Sequence, residues 1–563
     1  MSSVADLAAA STGPVIVEGP SISIPVQSIG DLFDEVTEKW ADRTALVFYG
    51  RKFSFRVLRE RVDRMAQALI GLGIGKGDRI GLMLLNSPEY VITFYAAAKI
   101  GAVITPISPV YVSSEVKHQL EDSGAKTVVC MDVLYETVEK SGVELDNVIL
   151  VNVSESLPLM RKLFGRGILR SNYADKSRAG TAAGKRGIHR IGDLIAKAGS
   201  GSVKVDIDPT KDILALPYTG GTTGSPKGVM VSHYNAVVSF RQTNAGMPML
   251  EPGKETFLSY MPYYHAAGQS LSLIGGTLNG FTQVILTTPD LDDIIEASIK
   301  YGATFFVGAP AIYEMLKDFE KSGRVDWRRL KVLISGADSL HEQTAKVWKE
   351  RWGVTLTEAY GMTETTASTH MNPIGHQRLG SIGVPLPGTT AALLDPDSDA
   401  FAMPGEKGEI GICGPQVAHG YWGRPDATRD CQAVIDGTVW WRTGDIARID
   451  DGYFYFYERK RDLIKYKGLR VFAREVEEVL IAHPMIRDVG VIGVPDQKVG
   501  ENVKAVIVLE SDAHGMLTEA QITQYCHEKL AHYKVPRIIE FVGEIPRTDI
   551  GKVSRRELRE EAL

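Results

Sequence analysis

From Ile29 to about Tyr457 the chain alternates amphipathic helical stretches with short apolar runs, and this alternation restricts the fold more than any other feature. DLFDEVTEKWADR and RVLRERVDRMAQALIGLGI place apolar residues three and four apart, the spacing of one helix face. RIGLMLL, AVITPI and KTVVCM are continuous apolar runs of strand length. Helix and buried strand in alternation predict α/β layers with mostly parallel sheets. The chain has 563 residues. That exceeds the roughly 250–300 at which one core stops growing, so more than one domain is expected. The charged run ERKRD at 458–462 marks the predicted boundary, between a large N-terminal domain at 1–457 and a small α+β domain at 463–563. The second part has its own strands (VGVIGV, KAVIVL, IIEFV) and helices (EVEEVLIAH, EAQITQYCHEKLAHY).

Two segments stand apart from this pattern. GIGKGD, from Gly73, resembles a fragment of a phosphate loop, but the full GxGxxG is absent and a turn is expected. Residues 155–205 read as an inserted surface segment. Arg161, Lys162, Arg166, Arg170, Lys176, Arg178, Lys185, Arg186 and Arg190 accumulate there, with Asp175 the one acid between Arg161 and Arg190. It reads either as a solvated basic loop or as a peripheral contact with anionic lipid or with CoA phosphates, since LPLMRKLFGRGILR has the pattern of a basic amphipathic helix.

Composition excludes several classes. The net charge of -6 gives no reason to expect a nucleic-acid partner. Cys130, Cys413, Cys431 and Cys526 form no CxxC pair, which argues against a disulfide framework or zinc site and for the cytoplasm. The first twenty residues carry no basic residue ahead of an apolar run, so they do not read as a secretory signal. No stretch approaches the roughly 18 apolar residues that span a bilayer.

The strongest local signal is LPYTGGTTGSPKGVMVSH at 216–233. An apolar strand leads into Thr219, Gly220, Gly221, Thr222, Thr223, Gly224 and, past Ser225 and Pro226, Lys227. Glycines let the backbone approach a ligand. Their N–H groups, the hydroxyls and the lysine charge suit a polyphosphate. It is not a Walker A loop, because Pro226 precedes the lysine and Gly228 follows it.

With this loop come MPYYHAAG (261–268), ISGADSL (334–340), TEAYGMTETT (357–366), WWRTGD (440–445), ERKRDLIKYKG (458–468) and PRTDIGKVSRREL (546–558). In order and spacing they resemble the adenylate-forming enzymes, which include acyl- and aryl-CoA synthetases, firefly luciferase and peptide-synthetase adenylation domains. The resemblance runs from about Ile29 to Leu558. It implies a reaction of ATP, magnesium and a carboxylic acid in two steps. A carboxylate attacks the α-phosphorus to give an acyl-adenylate and pyrophosphate, and a thiol, coenzyme A here, then displaces AMP.

The resemblance also implies roles. Lys552 bridges the carboxylate and the α-phosphate. Glu364 coordinates magnesium, and Thr363 touches phosphate. Tyr360 lies against the adenine, reached through Glu358 and Ala359, with Gly336 and Ala337 as the opposite wall and Gly361 beside it. Asp445 accepts both ribose hydroxyls, which suits an ionised carboxylate, and Arg459 reaches the same ribose. Phe456 stands near the nucleoside. His265 lies near the acyl carboxylate; His233 is read as structural. Arg461 is the hinge on which a small mobile C-terminal domain turns, bringing either Lys552 or the Lys465–Gly468 segment to the site. Gly468 would line the pantetheine tunnel. Tyr263, Tyr264, Gly268, Val307, Pro310 and Gly361 are candidates for the acyl-pocket wall.

Three departures qualify the match. Asp338 and Ser339 replace a small residue and proline in the adenine wall. GADSL also looks like a phosphopantetheine attachment site, but it follows a buried strand and no helical carrier domain accompanies it. Arg470 stands where relatives often carry glutamine, and Gln269 where some long-chain enzymes have an aromatic gate. The leading reading is an acid–thiol ligase forming acyl-CoA, with a homodimer among the assemblies left open. The alternatives are loading of a carrier protein, oxidation of the adenylate, and a non-catalytic nucleotide-binding scaffold.

Overall fold

Three serines start the first three long helices, and each does so by the same local chemistry. Ser28, Ser54 and Ser87 accept from the backbone N–H of Asp31, Val57 and Tyr90, satisfying donors that a helix start leaves open. The helices are Ile29–Lys39, Phe55–Gly71 and Pro88–Lys99. Every residue of the last is buried, as expected of a helix enclosed on all sides. Its Lys99 Nζ reaches Asp34 Oδ1 at 2.6 Å and Asp63 Oδ1 at 2.5 Å, so one buried cation ties the three helices together.

This computed structural model describes residues 14–158, 187–219, 225–511, 513, 516–547 and 553–562. They fall into two units. The larger comprises Val17–Thr390 and Ile412–Gln432; the smaller is built mainly from Ala391–Gly411 and Ala433–Leu563.

The larger unit holds two large sheets, of seven and nine strands, besides a two-stranded ladder. In the first, Arg79–Met83 lies between Val103–Pro106 and Thr127–Met131, all parallel. In the second, Thr44–Phe48, Thr282–Ile285, Thr256–Ser259, Phe305–Gly308, Val332–Ser335 and Thr357–Met362 run parallel in that order. Antiparallel strands close both of its edges. The predicted α/β class with mostly parallel sheets is therefore observed. GIGKGD is a turn between helix and strand: Gly73 and Gly77 take φ of 82° and 86°, and the Gly75 N–H donates to Asp78.

Most of the basic segment, 159–186, lies outside the described residues. Its C-terminal part differs from the expected surface insert. Ile188–Arg190 is an edge strand beside Asn147–Val151, and helix Ile191–Lys197 follows with Ile191 buried. The basic count masked the apolar residues that anchor this part.

In the smaller unit, Thr438–Asp450 and Tyr453–Arg459 form a long antiparallel hairpin. A second sheet joins Ile464–Tyr466, Leu469–Val471, Ile486–Asp496, Gly500–Leu509 and Ile538–Phe541. Helix Ala473–Ile481 packs on it, with Val476 and Leu480 fully buried. The helix expected over EAQITQYCHEKLAHY stops at His527.

Candidate active site

In the larger unit the ends of the Gly/Thr loop are paired. Tyr218–Thr219 and Lys227–Gly228 form a short antiparallel ladder with Thr219 opposite Lys227. Gly220, Gly221, Thr222, Thr223 and Gly224 lie outside the described residues. The ladder is held from outside: Tyr218 donates to Asp122 at 2.8 Å, and the Trp422 N–H donates to the Gly228 carbonyl at 2.8 Å. Lys227 Nζ stands 4.9 Å from the centre of the Tyr421 ring.

The proposed adenine wall follows strand Val332–Ser335. The Gly336 N–H donates to the Gly308 carbonyl, and a Cβ at Gly336 would lie 3.3 Å from the Ala359 carbonyl. Ala337 takes φ 68°, a left-handed conformation that costs a non-glycine residue about 1–2 kcal/mol. Glu358 accepts from the Leu340 N–H at 3.2 Å, which fixes the turn carrying Asp338 and Ser339. Tyr360 pairs with His370 across the ladder, and their rings meet edge-on at 5.7 Å. At Gly361 a Cβ would lie 1.6 Å from the Ala367 carbonyl oxygen, so only glycine fits.

Thr363–Thr365 forms one tight helical turn. Glu364 is 7% exposed; its Oε1 accepts from the Tyr421 hydroxyl at 2.6 Å and its main-chain carbonyl from the Ala418 N–H. Tyr421 is the residue that sequence reading missed. It sits in the stretch HGYWGRP, whose spacing matches none of the phosphate-loop patterns.

His265 is exposed at the surface, yet the protein around it partly desolvates the ring and lowers its pKa. Gly268 opens a π-helix over Gly268–Ile274, a local distortion that favours functional sites. A Cβ at Gly268 would lie 2.0 Å from the Pro262 carbonyl oxygen. A small cavity beside Thr363 is lined by Ala266, Gln269, Ser270, Ile274 and Thr366 among others. Tyr263 and Val307 are buried: the Tyr263 hydroxyl bonds to Ser259 at 2.8 Å and its ring meets Tyr90. Pro310 starts helix Pro310–Asp318 and is buried; Tyr264 is half-buried. His233 is fully buried and its Nδ1 accepts from the Ile29 N–H. Burial pulls its pKa down to about 4, as fits a neutral structural residue.

In the smaller unit Asp445 and Arg459 face each other on one rung of the hairpin, with Arg459 Nη1 2.8 Å from Asp445 Oδ1. Asp445 is 1% exposed and Arg459 is largely in solvent. Phe456 stands opposite Ala447 on the same ladder. Glu409 braces the base by accepting from the Gly444 N–H, Arg442 and Lys460. Arg461 is exposed within the turn Lys460–Asp462. Lys465 and Arg470 are cross-strand neighbours on a two-residue hairpin whose tip, Lys467 and Gly468, takes φ of 50° and 78°. That tip needs left-handed residues at both places. A Cβ at Gly468 would meet nothing within 4 Å, so the turn, not crowding in the chain, demands the glycine. Lys552 lies outside the described residues.

Comparison with known proteins gives these features a family. The AMP-binding enzyme profile matches residues 33–422, and the profile for the AMP-binding enzyme C-terminal domain matches 475–552. The long-chain-fatty-acid–CoA ligase of Escherichia coli O157:H7 is 33% identical over 95% of each chain. That of Bacillus subtilis is 33% identical over 96% of this chain and 95% of its own. Among solved structures, ATP-bound MatB from Rhodopseudomonas palustris superposes with a TM-score of 0.78 at 26% identity, covering 95% of this chain and 99% of that one. The Mycobacterium tuberculosis fatty acyl CoA synthetase gives 0.74 at 25%, covering 95% and 98%. With both profiles matched and the likeness spanning nearly the whole chain, this protein belongs to the AMP-binding enzyme family, as an AMP-forming acyl-CoA synthetase.

Proposed function

We propose that the chain activates a fatty acid, or a similar monocarboxylic acid, with ATP and transfers the acyl group to coenzyme A, releasing AMP and pyrophosphate. The observation that carries this reading is Glu364, a buried carboxylate held by Tyr421, whose ring also lies beneath the loop lysine Lys227. A carboxylate and a lysine arranged about one side chain suit a cation and the phosphates it accompanies.

Magnesium takes one or two protein carboxylates and fills its remaining positions with water and substrate phosphates. Glu364 with Thr363 fits that demand. Among the described residues no group of three or more His, Cys, Asp or Glu is placed to hold a metal, and this mode of binding needs none. Bound there, magnesium supplies Lewis-acid neutralisation of phosphate charge. The loop from Thr219 to Lys227 cradles the polyphosphate. Tyr360, Gly336 and Ala337 hold the base, and Asp445 with Arg459 holds the ribose. Lys552 bridges carboxylate and α-phosphate in the first step. Rotation at Arg461 exchanges it for Lys465 and Gly468 in the second, when the thiolate displaces AMP. His265 and the residues about Thr363 receive the acid's carboxylate end.

The reading is tested by pyrophosphate release across short, medium, long and aromatic acids, followed by detection of the CoA thioester. Release with an aliphatic acid and formation of its thioester is the expected result. No release with any acid, or release without a CoA thioester, overturns it. The same proposal places the enzyme in the cytoplasm, in keeping with four thiols that form no disulfide. Among the described residues no helix is long and apolar enough to cross a membrane. A peripheral lipid contact through the basic stretch 155–205 predicts co-sedimentation with anionic liposomes that is lost on deleting 157–190. Association into a homodimer predicts a two-chain mass in sedimentation.

A further inference from the structure

Tyr421 is clamped against the strand that leaves the phosphate loop. The Met230 N–H donates to the Gly420 carbonyl, the Trp422 N–H to the Gly228 carbonyl, and Val229 bridges to Tyr421 itself. The Tyr421 N–H donates to Thr428 Oγ1 at 2.9 Å. The side chain, 7% exposed, therefore has a fixed origin. Its ring lies 4.9 Å from Lys227 Nζ, and its hydroxyl donates to Glu364 Oε1 at 2.6 Å, with Cys431 Sγ 3.9 Å from the same hydroxyl.

We infer that Tyr421 is a positioning residue for nucleotide activation: its hydroxyl sets the orientation of Glu364 and its ring sets the place of Lys227, so carboxylate and lysine keep one separation. The inference rests on the reading of Glu364 as the magnesium ligand. Three physical points support it. A hydrogen bond from a neutral donor to a carboxylate is stronger than one between neutral groups and restricts its rotation. Partners that orient a metal's carboxylate typically govern affinity for the metal by 10–100-fold. A lysine over a tyrosine face gains attraction that any polar replacement of the ring would forfeit.

The experiment compares the full-length wild type, Tyr421→Phe, Glu364→Gln and the double variant. Phenylalanine keeps the ring beneath Lys227 and removes only the hydroxyl. Two quantities are read: the magnesium concentration at half-maximal ATP–pyrophosphate exchange, and the calorimetric Kd for ATP with magnesium and with EDTA. Tyr421→Phe is expected to raise the magnesium midpoint and the Kd of magnesium-loaded ATP about tenfold. The metal-free ATP Kd should stay within roughly twofold, and the double variant should be no worse in magnesium midpoint than Glu364→Gln. The ratio of the two Kd values is taken on one sample, so a reduced folded fraction does not mimic the effect. If Glu364→Gln shifts the midpoint and Tyr421→Phe does not, this inference is overturned and the metal-ligand reading stands. If neither shifts it, the metal-ligand reading falls and takes this inference with it.

Discussion

Arg470 Nη2 lies 2.6 Å from Asp397 Oδ2 and 3.0 Å from Asp395 Oδ2, while Lys465, its cross-strand neighbour, reaches Asp397 Oδ1 at 2.7 Å. Lys465, proposed to serve thiol transfer, and Arg470 beside it are thus tethered to one acidic turn. Hydrogen bonds from Lys465 and Arg470 hold the Asp397 carboxyl down at about 2, so the tether persists across the working pH range. These groups are partly exposed, so the pairs contribute less than about 1 kcal/mol each to stability. Rotation of the 463–563 segment at Arg461 would require both basic residues to leave Asp397. Asp397→Asn should therefore change the ratio of adenylation to thioester formation by about two- to fivefold, with a melting shift of only a few degrees. It should also flatten the salt dependence of that ratio. An unchanged ratio and salt dependence would mean the pairs are not broken during turnover.

Gly361→Ala should be among the most damaging single-atom additions in the chain. The added Cβ would meet a backbone carbonyl oxygen, which cannot swing aside as a flexible side chain can. We expect a loss of more than about 3 kcal/mol, measured by urea unfolding. A loss below about 1 kcal/mol would show that the Ala367 strand shifts freely.

Much of this was legible in the sequence because the signals were periodic or punctuated. The helix in DLFDEVTEKWADR follows from its apolar spacing, and the strands in RIGLMLL and KTVVCM from their continuous apolar runs. Other features turn on relations that spacing does not carry. Arg470 reads as an odd substitution until Asp395 and Asp397 are seen beside it. Tyr421 is one tyrosine among 21 until its hydroxyl is found on Glu364. Tyr263 and Tyr264 are adjacent and chemically identical, yet one is core and the other half-buried. The helix in EAQITQYCHEKLAHY ends at His527, and a tight turn at His532–Lys534 then leads Val535 into the core.

Asp445→Asn tests the ribose assignment. Asparagine keeps the volume but replaces one acceptor oxygen by a donor, so it cannot accept from both hydroxyls of a diol. The KM for ATP should rise about 10–100-fold, the equivalent of one charge-assisted hydrogen bond. The KM for the acid should change far less. Equal changes in both would move Asp445 from nucleotide binding to general support of the fold.

Lys552→Ala tests the proposed division of labour between the two half-reactions. Acyl-adenylate formation should fall at least about a hundredfold, since a cation that counters developing charge is lost. Thioester formation from supplied acyl-AMP should survive. An equal loss in both steps would contradict a lysine that serves only one orientation.

Glu458 gives the protein a pH-dependent stability of unusual sign. It precedes Arg459 on the hairpin and is 2% exposed. One carboxyl oxygen accepts from the Arg474 N–H at 3.4 Å, and the other has no partner among the described residues. Burial pushes its pKa up to about 8, against the opposing pull of Arg555 and the Arg474 N–H. In the unfolded chain the same group titrates near 4.5. Between these values the folded state holds a proton that the unfolded state has released. Unfolding therefore becomes easier as pH rises, by at most about 1.4 kcal/mol per unit, and the trend levels off above about 8. Glu458→Gln removes the proton and keeps the shape. The variant should match the wild type most closely near pH 5 and exceed it increasingly up to pH 8, read as the difference between two urea-unfolding series. Parallel curves would show that Glu458 is ionised in the folded protein, held by a partner such as Arg555.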